Sequence, residues 1–212
     1  MIVVHHLNNS RSQRILWLLE ELGVDYDIRA YQRDGVTNLA PPELLDVHPL
    51  GKSPMVEMED MLIAESGAIV ELICAKHGPH MIPDIGSLEY VRHLEWMHFA
   101  EGSAMTPILL ALYTGRLGDA AAPLQPRIEQ QLRSHFEFME SGLRDSGHFV
   151  LDDLSAADIM LSFPAEVAIA QGRGKHYPKL ASFVSHIHAR PAYQRALERG
   201  GPYRFASKSS AD

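Results

Sequence analysis

The chain has 212 residues, of which 46% are hydrophobic and 22% charged, with one cysteine and a formal net charge of -8. This length fits one large or two small domains, and the apolar fraction is too high for an intrinsically disordered protein. One cysteine excludes an internal disulfide framework. The excess of acidic over basic side chains, 27 against 19 with no basic run, argues against a nucleic-acid partner. The first residues lack the charged start and long apolar run of a signal peptide, and no apolar stretch approaches the ~20 residues of a membrane span, so we expect a cytoplasmic protein.

The first 80 residues have the pattern of a small α/β domain. Apolar periodicity and turn residues predict a strand, helix, strand, helix, strand, strand and helix, in that order, at residues 2–4, 15–22, 26–31, 41–47, 55–58, 61–63 and 65–77. Gly23 ends the first helix. Because that helix connects the first two strands, we expect the two strands to be parallel.

Glycines and prolines at residues 78–86 indicate a linker, and the pattern beyond it is helical only. One long helix or a pair of helices is predicted at residues 87–116, and further helices are predicted at 123–143, 155–171, 178–189 and 191–200. Pro107 is expected to kink the first of them. We therefore predict one domain at residues 1–78, a linker at 79–86, an all-helical domain at 87–206 and a flexible tail at 207–212.

Two helix starts carry hydroxyl side chains. Ser10 and Ser12 precede or open the first helix, where unpaired backbone N–H groups and a partial positive charge favour an anion that a hydroxyl can also reach. Glu65 and Ser66 open the helix at 65–77, where the serine suits a ligand carboxylate and the glutamate suits an ammonium group. In both places the alternative is that these side chains only cap their helices.

A third segment is the Ser53–Pro54 pair, which lies in the loop before the strand at 55–58. An X-Pro bond adopts the cis form at modest cost, and that geometry would let the backbone of Ser53 pair with an extended peptide. The alternative is an ordinary loop that contains glycine and proline.

The order of these three segments, in an α/β domain followed by an all-helical half, resembles the cytosolic glutathione transferase family, in particular its serine-type, theta- and delta-like members. The resemblance covers about residues 1–205 and implies a thioredoxin-like N-terminal domain with an all-α C-terminal helical bundle. It implies that Glu65 and Ser66 bind glutathione, and that Ser53 and Pro54 form the cis-proline loop whose backbone pairs with the cysteinyl part of glutathione. Glutathione would be a co-substrate.

The resemblance also implies that Ser10, four residues before Arg14, is the catalytic serine. The nucleophile would be the glutathione thiolate, and a free thiol has a pKa near ~8.5. Making the thiolate the main species at neutral pH requires roughly 2.7 kcal/mol of differential stabilisation. A hydroxyl donor together with a helix N-terminus can supply this. Asn9 and Ser12 are alternative donors.

Further binding residues follow from the same resemblance. Lys52 could pair with a glutathione carboxylate, or it could be a solvated loop lysine. A pocket for a small hydrophobic electrophile is expected between the domains, where Met105, Leu109 and Tyr113 are candidates; the alternative is that they belong to the core. Members of the family usually form homodimers, so we expect a homodimer here.

Other conspicuous residues have structural explanations. Ser155 and Asp158 have the spacing of a capping box, so we expect Asp158 to serve folding and its replacement to cost about 1 kcal/mol. Cys74 lies in an apolar helix and is expected to be a buried, inert thiol. The histidines around Glu95 do not have the spacing of a helical zinc motif, and no metal is expected.

These observations favour an enzyme of detoxification that joins the glutathione thiolate to a small electrophile. Isomerase, peroxidase and lyase reactions use the same thiolate, and the first 80 residues do not distinguish between them. The main alternative of another class is a non-catalytic scaffold or transcription-associated protein with the same fold. Retention of Ser10 together with the other two segments argues against that alternative.

Overall fold

The computed structural model describes residues 1–206 and contains one four-stranded sheet. Its strands are β1 (Ile2–Leu7), β2 (Tyr26–Tyr31), β3 (Met55–Met58) and β4 (Met61–Ile63). They lie in the order β2-β1-β3-β4. β1 pairs with β2 in parallel, as predicted, while β3 is antiparallel to β1 and to β4. β1 is therefore central, and all six of its residues are buried.

Three helices accompany the sheet in the first part of the chain. They are α1 (Ser12–Leu22), α2 (Glu43–Val47) and α3 (Ser66–His77). α1 ends where Gly23 adopts a left-handed conformation with a φ of 61°, which a residue without a Cβ adopts at little cost. Glu59 and Asp60 also have positive φ, and they form the predicted turn of the β3–β4 hairpin.

The rest of the chain is helical in the part that the structure describes. Its α-helices are α4 (Leu88–Phe99), α5 (Met105–Thr114), α6 (Gln125–Gly142), α7 (Ala156–Ala170), α8 (Pro178–Ala189) and α9 (Pro191–Gly200). Short 3-10 segments lie at Pro79–Met81, Gly115–Ala121 and Arg173–Lys175. The combination of an α/β domain and a helical bundle confirms the predicted fold class.

The predicted kink at Pro107 is wrong in its position. The long helix at 87–116 is interrupted by a π-helical turn at Ala100–Ala104, and Pro107 lies in the first turn of α5. Proline cannot donate a hydrogen bond to the carbonyl four residues earlier, here that of Ser103, and its ring crowds that group. The wider turn directly before α5 accommodates this loss.

Contacts divide the described residues into two compact units, residues 1–80 with 186–206 and residues 81–185. Within the first unit, α9 packs on α1. The predicted domain boundaries at 78 and 87 stay predictions, and the predicted flexible tail at 207–212 lies outside the described residues.

Each unit has its own apolar core. In the first unit, α1 contributes a fully buried run that includes Leu16, Trp17 and Leu18. In the second, Trp96 packs against Phe138 and Phe149, with ring centroids 4.9 and 5.0 Å away. None of the helices among residues 1–206 is both long enough and apolar enough to cross a membrane.

Candidate active site

Two of the three segments singled out in the sequence meet at the end of β1. The backbone N–H of Leu7 lies 3.2 Å from the hydroxyl oxygens of both Ser12 and Ser53, and it donates to both. The start of α1 and the loop before β3 are therefore held to the same peptide group, although the two serines are 41 positions apart in the sequence.

The Ser53–Pro54 peptide bond is cis, as the resemblance implied. Besides accepting from Leu7, the Ser53 hydroxyl donates to the carbonyl of His5 at 2.8 Å. The side chain is thus used to fasten the loop to β1. A ligand at this loop would have to pair with the backbone of Ser53.

The start of α1 contains a buried chain of hydrogen bonds. Ser10 Oγ and Ser12 Oγ are 2.8 Å apart, and Ser12 Oγ is 2.9 Å from Nδ1 of His6. The other ring nitrogen of His6, Nε2, lies 3.1 Å from the carbonyl oxygen of Gly200. Ser10 also accepts from the backbone N–H of Ser12 at 3.2 Å. Ser12 is fully buried, whereas 4% of Ser10 is exposed, so Ser10 is the outer member of this chain.

The third segment is tied to α1 by a buried arginine. Arg14, in the first turn of α1, donates from Nη2 to the hydroxyl of Ser66 at 2.6 Å, and both side chains are buried. Glu65 is exposed and holds a φ of 67° and a ψ of 114°. Non-glycine residues rarely adopt such a conformation, and it is often found at ligand sites.

The alternative donors at the start of α1 have other partners. Asn9 Oδ1 accepts from the backbone N–H of Arg204 at 2.7 Å, and Asn9 has a φ of 52°. Ser12 is bonded to β1 and to His6, as described above. Lys52 is exposed in its loop.

The three candidates for the electrophile pocket lie on α5 but differ in exposure. Met105 is buried, Leu109 is partly buried, and 56% of Tyr113 is exposed. Their spacing of four residues places them along one face of this helix. A common pocket for them stays a prediction.

Asp158 has the structural role that was predicted. Its carboxylate accepts from the backbone N–H and the hydroxyl of Ser155 at 2.7 and 2.6 Å, which completes the capping box at the start of α7. It also accepts from the backbone N–H of Phe149 at 2.9 Å. The last contact, which fastens the preceding loop to the helix, is not part of a simple capping box.

Cys74 is buried, as predicted, and burial raises the pKa of its thiol to about 12. A thiol with this pKa is not a nucleophile at neutral pH. Among residues 1–206, no group of three or more histidine, cysteine, aspartate or glutamate side chains is arranged to hold a metal ion.

The sequence reasoning missed two residues of this site, His6 and Arg14. A detectable signal existed for Arg14, because a charged side chain interrupts an otherwise apolar stretch of α1 and such a side chain needs a buried partner. His6 gave no comparable signal. Its partner Gly200 is 194 positions away in the sequence.

A thioredoxin-like sheet with a cis-proline loop, followed by a helical bundle, defines a glutathione-transferase-type fold. Models of the glutathione S-transferase N-terminal and C-terminal domains match residues 1–74 and 99–191. The chain therefore belongs to the glutathione S-transferase family, and its expected identity as a transferase is confirmed at the level of the family.

The similar proteins agree with this assignment. Glutathione S-transferase 3 of Schizosaccharomyces pombe is 33% identical, covering 94% of this chain and 88% of that protein. Glutathione S-transferase 1 of Saccharomyces cerevisiae is 29% identical, covering 94% of this chain and 95% of that protein. A crystal structure of a glutathione S-transferase from Actinobacillus pleuropneumoniae has a TM-score of 0.88 and 30% identity, covering 99% of this chain and 98% of that one.

Two further matches complete the comparison. A glutathione transferase homologue from Sulfitobacter, solved with bound glutathione, shares the fold with a TM-score of 0.80 at 18% identity, over 94% of this chain and 98% of that one. A probable elongation factor 1-gamma of Arabidopsis thaliana is 27% identical, over 75% of this chain and 39% of that protein.

Proposed function

We propose that this protein joins the thiolate of glutathione to a small hydrophobic electrophile, and that Ser10 stabilises the thiolate. The observation that carries the proposal is the convergence of three separate segments on one end of β1 and α1. Ser12 and Ser53 share the N–H of Leu7, and Arg14 binds Ser66. A set of buried polar contacts between distant segments favours a ligand site over three unrelated helix caps.

Ser10 is favoured over the other two donors by its position. Ser12 is fully buried and holds contacts to β1, and the side chain oxygen of Asn9 is bonded to Arg204. Ser10 lies at the accessible end of the serine chain, directly before α1, whose N-terminus adds a partial positive charge. An alcohol cannot act as the base itself, so its role is to hydrogen-bond the sulfur.

Glutathione would bind along the same edge. The backbone of Ser53, held by the cis bond to Pro54, would pair with the cysteinyl part of glutathione, and Ser66 would bind its γ-glutamyl carboxylate. Glu65, which is exposed beside Ser66, would meet the ammonium group, and Lys52 would meet the other carboxylate. Met105, Leu109 and Tyr113 would line the apolar pocket for the electrophile.

The test is a conjugation assay over a range of pH with an activated aryl halide and an α,β-unsaturated carbonyl compound. The Ser10→Ala variant should lose about 100-fold in kcat/KM at neutral pH, a change that corresponds to roughly 2.7 kcal/mol of thiolate stabilisation. Its activity should recover at high pH, where glutathione ionises unaided. Ser10→Thr, which keeps a hydroxyl, is the matched control. An unchanged pH profile in Ser10→Ala would move the role to Asn9 or Ser12.

The similarity to elongation factor 1-gamma supports the alternative of a non-catalytic protein with this fold. Retention on immobilised glutathione distinguishes the two functions. The enzyme should be retained and should be released by free glutathione, whereas failure to bind would favour the scaffold. The proposed enzyme acts as a cytoplasmic homodimer, and light scattering that finds a monomer would contradict the dimer.

A further inference from the structure

His6 is a buried histidine whose two ring nitrogens both have hydrogen-bond partners. Only 3% of the residue is exposed, and it lies on β1 with Ser12 on one side and Gly200 on the other. A carbonyl oxygen can only accept a hydrogen bond, so Nε2, which faces the carbonyl of Gly200, carries a proton. Burial lowers the pKa of His6, and the Gly200 carbonyl opposes that effect in part. The resting imidazole is therefore neutral, and its Nδ1 is a bare acceptor.

This tautomer fixes the direction of the hydrogen bonds along the serine chain. The Ser12 hydroxyl has one proton and three possible acceptors, which are Ser10 Oγ at 2.8 Å, Nδ1 of His6 at 2.9 Å and the carbonyl of Leu7 at 3.3 Å. Nδ1 can only accept, whereas Ser10 has a proton of its own, so the Ser12 proton is directed to Nδ1. Ser12 Oγ then has no proton for Ser10, yet the two oxygens are 2.8 Å apart. The proton between them must belong to Ser10.

In the resting protein, Ser10 thus donates inward. One of its two lone pairs accepts from the backbone N–H of Ser12, and the other is available to a ligand. A thiol can donate to that lone pair, but a thiolate needs a donor. The hydroxyl must reverse its direction for the thiolate to be stabilised. Reversal of the whole chain requires a proton to arrive at Nδ1 of His6.

We propose that His6 accepts the proton of the glutathione thiol through Ser10 and Ser12. This inference rests on the proposed function and assigns the base that the serine cannot provide. The S–H bond breaks as its proton passes to Ser10, the Ser10 proton passes to Ser12, and the Ser12 proton passes to Nδ1.

The product of this transfer is a thiolate at the outer end of the serine chain and an imidazolium ion at its inner end, two hydroxyl groups away. Ser12 then donates to Ser10, and Ser10 donates to the sulfur, which is the arrangement that stabilises the thiolate. No electrons are exchanged with any other group. After the conjugate leaves, the same chain returns the proton from His6 to water.

The surroundings of His6 suit a base that gives its proton back. The charged side chains of the helices near it are engaged elsewhere, since Arg14 on α1 donates to Ser66, and Arg195 and Arg199 on α9 pair with Glu20. The groups that contact the imidazole are a hydroxyl and a carbonyl. An imidazolium without a carboxylate partner is not trapped in the charged form.

A measurement on the unaltered protein tests the transfer directly. Histidine labelled at the ring nitrogens is followed by NMR while glutathione is added, and the ultraviolet absorbance of the thiolate is recorded on the same samples. Nδ1 of His6 should change from unprotonated to protonated as the thiolate forms. S-methylglutathione, which has no thiol proton, should leave Nδ1 unprotonated.

The two proposals fail in different ways in this experiment. If the thiolate forms while Nδ1 stays unprotonated, the relay is wrong and the proposed function stands. If bound glutathione gives no thiolate at neutral pH, both are wrong. Assignment of the His6 signal uses its loss in the His6→Asn variant.

The same variant tests the kinetic role. Asparagine can accept from Ser12 in place of Nδ1, but it cannot take up a proton. His6→Asn should lower kcat/KM about 10- to 100-fold at neutral pH. It should also make glutathione binding release more protons to the solvent for each thiolate formed, because His6 no longer stores the proton.

Two further variants separate this role from simple damage to the fold. Ser12→Ala breaks the relay at its middle, so its effect and that of His6→Asn should not add in the double variant. His93→Asn is the matched control, because His93 is another buried histidine whose pKa burial lowers, and it should leave proton release unchanged. Additive losses in the double variant would overturn the relay.

Discussion

The start of α1 and the start of α7 both bury serine side chains, but they use them differently. At α7, both oxygens of the Asp158 carboxylate accept hydrogen bonds, one from Phe149 and the other from Ser155. At α1, the hydroxyl of Ser12 contacts β1 and a histidine, and Ser10 is joined to Ser12. At α7, the carboxylate three residues after the serine completes a helix cap. At α1, the two serines form a chain that leads to His6, and such a chain is suited to moving a proton.

The largest effect on stability is expected from removing the carboxylate of Asp158 at the start of α7. Asp158→Ala leaves two buried backbone donors, those of Phe149 and Ser155, without acceptors, at about 1–3 kcal/mol each. We therefore expect the free energy of unfolding to fall by about 3 kcal/mol, more than the roughly 1 kcal/mol expected for an ordinary cap. Urea denaturation measures the loss.

Asp158→Asn is the control, because it keeps the shape and one oxygen acceptor and should cost less than the alanine variant. The folded Asp158→Ala protein should bind glutathione as the unaltered protein does. A large loss of affinity without a loss of stability would contradict the structural role of this residue.

Removing one hydroxyl at each helix start distinguishes a role in stability from a role in catalysis. Ser155→Ala should cost about 1 kcal/mol of stability and leave conjugation unchanged. Ser10→Ala should reduce conjugation about 100-fold while its stability changes by about 1 kcal/mol, because the two hydrogen bonds that it loses are both local contacts with Ser12. Thermal melts measure the change in stability, and initial rates on the same preparations measure the change in conjugation activity. Equal effects of the two variants on activity would remove the distinction between the two sites.

At the other end of α1, a more exposed carboxylate, that of Glu20, is expected to contribute less to stability than Asp158 does. Glu20 there accepts from Arg195 and Arg199 of α9 and from Tyr26. Burial opposes ionisation, but these hydrogen bonds together lower the pKa of Glu20 below its ordinary value of 4.5. Because both arginine side chains are partly exposed, at 51% and 41%, solvent screening limits the contribution to about 1 kcal/mol or less.

The pH dependence of the free energy of unfolding of the Glu20→Gln variant tests this contribution of Glu20. A carboxylate with a lowered pKa stabilises the fold above its ordinary pKa, and the stabilisation is lost as the pH falls through the lowered value. The variant should therefore be less stable than the unaltered protein at neutral pH and equally stable in strong acid. A difference that persists in strong acid would show that the carboxylate charge is not the cause.

Much of the secondary structure could be predicted because its causes are local. The apolar stripe of α1, its end at Gly23 and the turn at Glu59 and Asp60 each depend on neighbouring residues. The capping box was visible for the same reason, since Ser155 and Asp158 are three positions apart. The π-helical turn at Ala100–Ala104 was not predicted. A proline indicates that a helix is disrupted, but it does not show at which residues the backbone departs from α-helical geometry.

The amino-acid sequence was enough to predict the order of strands and helices, the family resemblance and the three segments that carry polar side chains. The contacts that join these segments are seen only in the folded protein, where Ser12 and Ser53 share the N–H of Leu7, Arg14 reaches Ser66, and His6 lies between Ser12 and Gly200. Hydrogen bonds between distant segments depend on register and packing. Those are fixed only when the sheet and α9 close around α1.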